Sequence, residues 1–378
     1  MLSDVGLSTE ELLPAQRDAV THRSGSLLVR GGAGTGKTKV VEERFRWLVE
    51  QGCRPERIAV VTPSAGRADA LRGRLEGELS EGYEQLFVIT PVELAAVILS
   101  ATGSSLDALD AVLDAGERFA MLLERIDELS LRRHDFGGSA NALLAGFVRR
   151  IDRLKGHLIG AEDYARWAAG LDRDGDGAQA GPATRGTDGG EPADGALERE
   201  FAEIYRAHER MLSAAGLVDA GDLLRDALRA VRERPALADR FEYLLLDDAH
   251  ELDLAPAALV RELGGAGLTA TLDPARGSFD SPAERTVALG RSMRCPERVL
   301  RAACATVKDE CEPSAPGGEV AFWRCATDRA QAQSVAADVE RLIAREGVEP
   351  GAIAVLVPAV AREGQAIAVA LEERAVPH

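Results

Sequence analysis

Eight residues near the start of the chain constrain its fold more than any other feature. Gly31-Gly32-Ala33-Gly34-Thr35-Gly36-Lys37-Thr38 fits the pattern G-x-x-x-x-G-K-[ST]. The apolar run Ser26 to Arg30 leads into it, and a helical pattern with Val40, Val41, Arg44, Phe45 and Leu48 at spacings of three and four follows. Glycines let such a loop bend so that successive N–H groups point inward at an anion. The positive end of the following helix adds to that pull. In such a loop Lys37 reaches the β- and γ-phosphates of a nucleotide, and the Thr38 hydroxyl ligates Mg²⁺. At this chain's Gly, Lys and Ser/Thr frequencies, on the order of 0.003 chance matches are expected, so an incidental glycine-rich turn is a poor alternative. Only four of the 45 bases are Lys, at positions 37, 39, 155 and 308, which makes Lys37 a rarer event still.

A phosphate loop needs a second carboxylate to hold the magnesium, supplied from the end of a neighbouring buried strand. Tyr243-Leu244-Leu245-Leu246 runs into Asp247-Asp248 and meets that need. Asp247 is expected on the metal side, and Asp248 is expected to position or deprotonate the attacking water. Two solvated loop acids would be the reading in isolation, and the upstream loop argues against it.

Further short apolar runs at Ile58 to Thr62, Leu86 to Ile89 and Leu268 to Leu272 alternate with helical patterns, the signature of a parallel sheet. From about Pro91 to Ala215 helical patterns dominate, with Phe201, Ile204, Tyr205, His208, Met211 and Leu212 on one face. Within that stretch, Leu171 to Gly195 holds seven Gly, two Pro and a net charge of −4, and is expected to be a disordered surface excursion. Val320 to Arg324, a helix from about Asp328 to Arg345, Ile353 to Val357 and a last helix to about Arg374 read as two more βα units. Two units are too few for a doubly wound domain, so the chain is expected to stop mid-fold.

The net charge of −17 argues against a wholesale basic coat for nucleic acid, while leaving room for a local groove. The five Cys form no CxxC pair, and no His stands at a ligand spacing from Cys295, Cys304 or Cys311, so free thiols are expected. No apolar run approaches the roughly 20 residues of a membrane span, and Met1-Leu2-Ser3-Asp4 does not open a signal peptide. A cytoplasmic chain without a membrane partner is the expectation.

Leu12-Leu13-Pro14-Ala15-Gln16-Arg17-Asp18-Ala19-Val20 resembles the Q-motif of UvrD/Rep/PcrA-type superfamily 1 DNA helicases, whose Gln reads the adenine edge. Gly31 to Thr38 followed by Arg44 looks like that family's first motif. Ala59 to Leu75, with Thr62-Pro63-Ser64 and Arg67-Ala68, is similar to its single-strand-contacting element. Gly216 to Leu224 resembles the segment ahead of the Walker B strand, and Leu246 to Glu251 the Walker B box. Leu289 to Arg298, with Ser292-Met293-Arg294-Cys295, looks like motif IV, whose Arg touches the γ-phosphate. The resemblance implies an α/β fold: a RecA-like P-loop NTPase domain (1–90 and 216–285), a helical accessory insertion (91–215), then the first half of a second RecA-like domain (286–378). It implies ATP and Mg²⁺ bound by Gln16, Gly32, Ala33, Gly34, Thr35, Gly36, Lys37, Thr38 and Arg44, with Thr38 and Asp247 on the metal. Lys37, Asp247, Asp248 and Arg294 would act in hydrolysis. Single-stranded or partly duplex DNA would be the partner, touched by Thr62 and Ser64.

Departures from the family pattern accompany the match. Asp248 stands for the family's Glu and is one methylene shorter. Leu272 and Arg276 stand for a Gly and a γ-phosphate-sensing Gln, Met293 for a Tyr that stacks on adenine, and Ala65-Gly66 for an Asn-Lys pair. These changes leave ATP binding intact and predict weakened hydrolysis and weakened coupling to DNA. Together with the Arg-rich background they resemble the weaker motor subunit of an actinobacterial AdnAB-like helicase–nuclease, which implies a second subunit as partner. Three readings stay open at this point: a DNA translocase, a degenerate ATP-binding scaffold in a helicase–nuclease, and a phosphate-loop NTPase unrelated to DNA. Motifs V and VI of the family are not found before His378, so an N-terminal portion of a longer protein is expected.

Overall fold

The computed structural model describes residues 12–77, 79, 82–103, 109–134, 139–171, 194–280, 283–307, 312, 313 and 315–377. Most of the excursion expected at 171–195 therefore lies outside the described residues. Two compact units divide at residue 317, Met1–Gly317 and Gly318–His378.

The first unit is organised by the run of short apolar segments. Leu27–Gly31 (β1), Ile58–Val61 (β2), Phe87–Ile89 (β3), Tyr243–Leu246 (β4), Leu268–Leu272 (β5) and Arg285–Leu289 (β6) form one sheet in the order β3-β2-β4-β5-β1-β6. Every pairing in it is parallel. A parallel sheet of this kind is covered on both faces, which is why the inner strands β2, β4 and β5 are buried along nearly their whole length rather than alternating. Along β2, Ile58 and Val60 enter one core while Ala59 and Val61 enter the other. Helices Pro14–Val20 (α1), Lys37–Glu50 (α2) and Ala65–Glu76 (α3) cover the first of these faces. Pro91–Ser100 (α4), Ala220–Glu233 (α9) and Leu254–Gly264 (α10) cover the second. The expected α/β class is borne out.

The expected helical stretch is present as Ala115–Glu124 (α5), Ala140–Gly156 (α6), Ala161–Gly170 (α7) and Gly195–Ala215 (α8), which share a core of their own around Phe147, Tyr164, Phe201 and Tyr205. A buried ionic hub joins these helices to α9. Lys155 on α6, 3% exposed, donates to Asp219 Oδ2 at 2.7 Å and Asp222 Oδ2 at 2.7 Å, and pairs with Glu209 Oε1 at 2.6 Å. Arg118 on α5 adds contacts to Asp152 at 2.7 Å and Asp219 at 3.4 Å. Burial alone would raise the Asp219 carboxyl, but the Lys155 charge against it overrides that and holds it below its ordinary range. Asp219 also caps α9 by accepting from the Asp222 N–H at 3.0 Å.

Residues 286–378 do not start a separate body at their first strand. Arg285–Leu289 pairs along its length with β1, so it closes the edge of the first sheet. A two-residue ladder, Arg291–Ser292 (β7) with Glu312–Pro313 (β8), and Glu297–Val307 (α11) complete the unit. The second unit holds Asp328–Glu346 (α12) and Gln365–Glu372 (α13), packed through Ala332, Ala336, Val339, Ala370 and Leu371. The strands expected at Val320 to Arg324 and Ile353 to Val357 carry no ladder among the described residues. Phe322 and Leu356, 91% and 92% exposed, bury nothing there, and a strand without a neighbour leaves its N–H and C=O groups to water.

Candidate functional site

The glycine-rich loop connects the carboxyl end of β1 to α2, where a doubly covered parallel sheet places its ligands. Its shape needs glycine at two positions. Gly34 has φ +73° and Gly36, the N-cap of α2, has φ +89°, both in the left-handed region. Space excludes a side chain as well. A Cβ on Gly34 would stand 2.7 Å from Ser292 Oγ, and one on Gly36 2.5 Å from Gln16 Nε2. The loop is braced from both flanks. Gln16, buried on α1, accepts from Leu13 N–H at 3.0 Å and donates through Nε2 to Thr35 O at 2.9 Å. On the other flank Ser292 Oγ donates to Ala33 O at 2.9 Å and Met293 N–H to Gly34 O at 2.7 Å. Lys37 Nζ rests on the Gly31 and Gly32 carbonyls at 3.0 and 3.1 Å.

Asp247 leaves β4 with 4% of its surface exposed. The Thr38 hydroxyl donates to its Oδ2 at 2.6 Å and the Thr271 hydroxyl to its Oδ1 at 2.7 Å. Burial pushes this carboxyl up, and the two hydroxyl bonds work against the push. Thr271 stands on β5, the strand between β4 and β1, and also accepts the Asp248 N–H at 2.9 Å. Asp248 has φ +51°, a left-handed conformation that Asp tolerates better than bulkier residues. Its Oδ1 lies 4.0 Å from Lys37 Nζ. His250 Nδ1 accepts the Asp273 N–H at 3.1 Å, and burial pulls the His250 pKa down, in keeping with a neutral acceptor.

These groups open into a cavity of about 610 Å³. Among the described residues its wall carries six cations, Lys37, Lys39, Arg67, Arg74, Arg276 and Arg294, against three carboxylates, Asp247, Asp248 and Asp273. A locally cationic cavity in a chain of net charge −17 is suited to a polyanion.

The structure brings Ala33, Gly34, Thr35, Gly36, Lys37, Thr38, Asp247, Asp248 and Arg294 to this one cavity. Gln16 and Gly32 support the loop without lining it. Arg44 is placed elsewhere. It is buried under the sheet, where Nη1 donates to the Ala19, Val20 and His22 carbonyls at 3.1, 2.9 and 2.8 Å and Nε to Thr269 Oγ1 at 2.9 Å. Its donors serve the end of α1, so the guanidinium is not offered to a nucleotide. Thr62, 1% exposed, lines the cavity instead of an open surface, and its Oγ1 has no hydrogen-bond partner among the described residues. Ser64 is exposed at the N-cap of α3 and makes no side-chain capping bond. Sequence reasoning missed Lys39 and Thr271 and placed Arg67 in an element similar to a single-strand-contacting one, whereas it lines this cavity. Lys39 left a signal, being one of four lysines and two residues after Lys37. Thr271 acts across a long stretch of chain and left none.

Whether the residues suit a magnesium nucleotide is decided by the cavity itself. Gly34 and Gly36 hold the bend of the loop in a conformation a side chain would strain, and six cationic side chains line the space in front of it. The Thr38 hydroxyl and Asp247 carboxylate are oxygen ligands of the kind magnesium takes. The fit holds.

A family model described as the UvrD/REP helicase N-terminal domain matches residues 12–272, more than half of the chain. The chain is similar to the ATP-dependent DNA helicase UvrD1 of Mycobacterium tuberculosis, 26% identical over 330 residues covering 78% of this chain and 39% of that relative. The ATP-dependent DNA helicase PcrA of Leuconostoc citreum is 23% identical over 363 residues, covering 86% and 44%. DNA helicase II of Escherichia coli is 25% identical over 269 residues, covering 69% and 33%. The chain spans less than half the length of these curated relatives.

Proposed function

The chain belongs to the UvrD/REP helicase N-terminal domain family, and on that premise we propose that it binds ATP·Mg²⁺ in the cationic cavity and forms the nucleotide-binding part of an ATP-dependent DNA helicase. The observation that carries the reading is the Thr38–Asp247 contact of 2.6 Å between the phosphate loop and the acid at the end of β4. Lys37 is the residue for the β- and γ-phosphates, and its release from the Gly31 and Gly32 carbonyls accompanies nucleotide entry. Thr38 and Asp247 hold Mg²⁺, which neutralises charge developing on the phosphates when bound. Asp248 orients the attacking water, with Arg294 closing the cavity from the far wall. Thr62 belongs to this nucleotide site, and Ser64 at the exposed start of α3 faces the single strand. Residues 91–215 act as the accessory insertion, and the part of 286–378 beyond Gly317 contributes to the second motor domain. The relatives' printed names support ATP-driven action on DNA.

A second reading, an ATP-binding scaffold with little turnover beside a partner subunit, draws on Asp248, which is one methylene shorter than the family's acid and paired with Arg67 at 3.2 Å. Displacement on that scale costs on the order of 10²-fold in rate. Single-turnover ATP hydrolysis with and without single-stranded DNA separates the two. A DNA-stimulated rate abolished by Lys37→Ala is the expected result. Tight binding without turnover supports the scaffold, and absence of affinity for single strands at any salt concentration refutes a role on DNA.

A further inference from the structure

Arg67 belongs to the element that the resemblance assigns to DNA, yet its guanidinium turns into the phosphate cavity. Nη1 donates to Asp248 Oδ2 at 3.2 Å and Glu251 Oε2 at 2.9 Å, and Nη2 to Glu251 Oε1 at 3.2 Å. Arg276 Nη1 lies 3.2 Å from the same Glu251 oxygen, so one carboxylate holds two guanidinium groups. Neither cation is locked in place. The Arg67 and Arg276 side chains are 46% and 58% exposed, and ion pairs so open to water are worth little. A phosphate offers a guanidinium a bidentate partner of higher charge.

The position of Arg67 along the site follows from Asp248. Lys37 Nζ stands 4.0 Å from Asp248 Oδ1, and Arg67 Nη1 stands 3.2 Å from Oδ2. Two cations flank one carboxylate, with Lys37 on the loop side and Arg67 on the α3 side. With Lys37 assigned to the β- and γ-phosphates, Arg67, on the other side of the Asp248 carboxylate, is placed to meet the outermost phosphate.

We propose that Arg67 is a specificity-determining residue that exchanges Asp248 and Glu251 for the outermost phosphate of a bound nucleoside triphosphate. The exchange makes the site prefer triphosphate to diphosphate. It also frees Asp248 for the attacking water only when that phosphate is present. The inference rests on the nucleotide-site reading above and adds a discriminating residue to it.

Equilibrium binding of Mg·ADP and of a non-hydrolysable Mg·ATP analogue to the wild-type chain, Arg67→Met, Arg67→Lys and Glu251→Gln tests it. Arg67→Met is expected to lose about ten- to a hundredfold in analogue affinity, the range for a charge-assisted bond, while ADP affinity stays put. Arg67→Lys restores part of the loss as a point charge, and Glu251→Gln, by loosening Arg67, raises analogue affinity alone. The unchanged ADP affinity doubles as the check that each variant is folded. Equal shifts for both nucleotides, or no shift in either, overturn the assignment of Arg67. A wild-type chain that binds neither nucleotide refutes the underlying site instead.

Discussion

Replacing Lys155 by Met leaves the buried stem of that side chain nearly unchanged in volume and removes only its charge. Asp219, Asp222 and Glu209 then face one another without the cation they share at 2.6–2.7 Å. Breaking a buried pair by deleting one partner costs about 3–5 kcal/mol. The lower end applies here, because Arg225 still holds Asp222 at 2.6 Å and Arg118 still reaches Asp219 at 3.4 Å. A cost of about 3 kcal/mol corresponds to roughly a 10²-fold loss of protection. It should appear in native-state hydrogen exchange on peptides from α6, α8 and α9. The pH dependence carries the sharper prediction. Without Lys155 the buried carboxylates have folded-state pKa values above their unfolded ones, so protonation relieves the variant as pH falls. The gap between wild type and Lys155→Met should therefore be widest near pH 8 and shrink towards pH 5. Lys155 itself is raised in the wild type, where the attraction of the three acids outweighs its burial, so its own contribution persists through this window and is lost only at alkaline pH. A gap below about 1 kcal/mol, or one independent of pH, would refute the claim that the hub is an electrostatic clamp.

Two shorter predictions follow from the same kind of reasoning. Gly36→Ala forces a left-handed residue with a Cβ 2.5 Å from Gln16 Nε2, at a conformational cost of about 1–2 kcal/mol; ADP affinity, measured by titration calorimetry, should fall about tenfold with circular dichroism unchanged. Glu200 accepts the Arg133 N–H at 2.8 Å, the His134 N–H at 3.1 Å and a contact from His134 Nδ1 at 3.0 Å. Burial would raise this carboxyl, but the His134 and backbone bonds hold it at about 2. Its folded pKa lies below the unfolded value, so the stability it confers is present above about pH 4.5 and fades as pH falls towards 2. Glu200→Gln should cost on the order of 1–2 kcal/mol at pH 7 and nearly nothing at pH 2, as read by thermal unfolding.

Much of the fold is legible where neighbours in sequence are neighbours in structure. Five strands of the sheet announce themselves as continuous apolar runs because both faces are buried. β6 does not. As an edge strand it alternates exposed Arg285, Thr286 and Ala288 with buried Val287 and Leu289, and that pattern hides in a charged segment. The phosphate loop is legible because its chemistry is contiguous, and Asp247 because a buried strand ends on it. Arg44 misleads, since seven residues of helix carry it about 10 Å from Lys37, down into the core. Arg67 and Glu251 stand 184 positions apart, and no local pattern can join them.

Thr271 has one hydroxyl, and that hydroxyl serves two masters: it gives its proton to the Asp247 carboxylate and receives one from the Asp248 main chain. The two acids are therefore geared together through β5, and a rigid displacement of that strand's tip carries both in step, never one alone. Serine could stand in at this point and keep the linkage; valine, equal in shape but mute, would uncouple the pair.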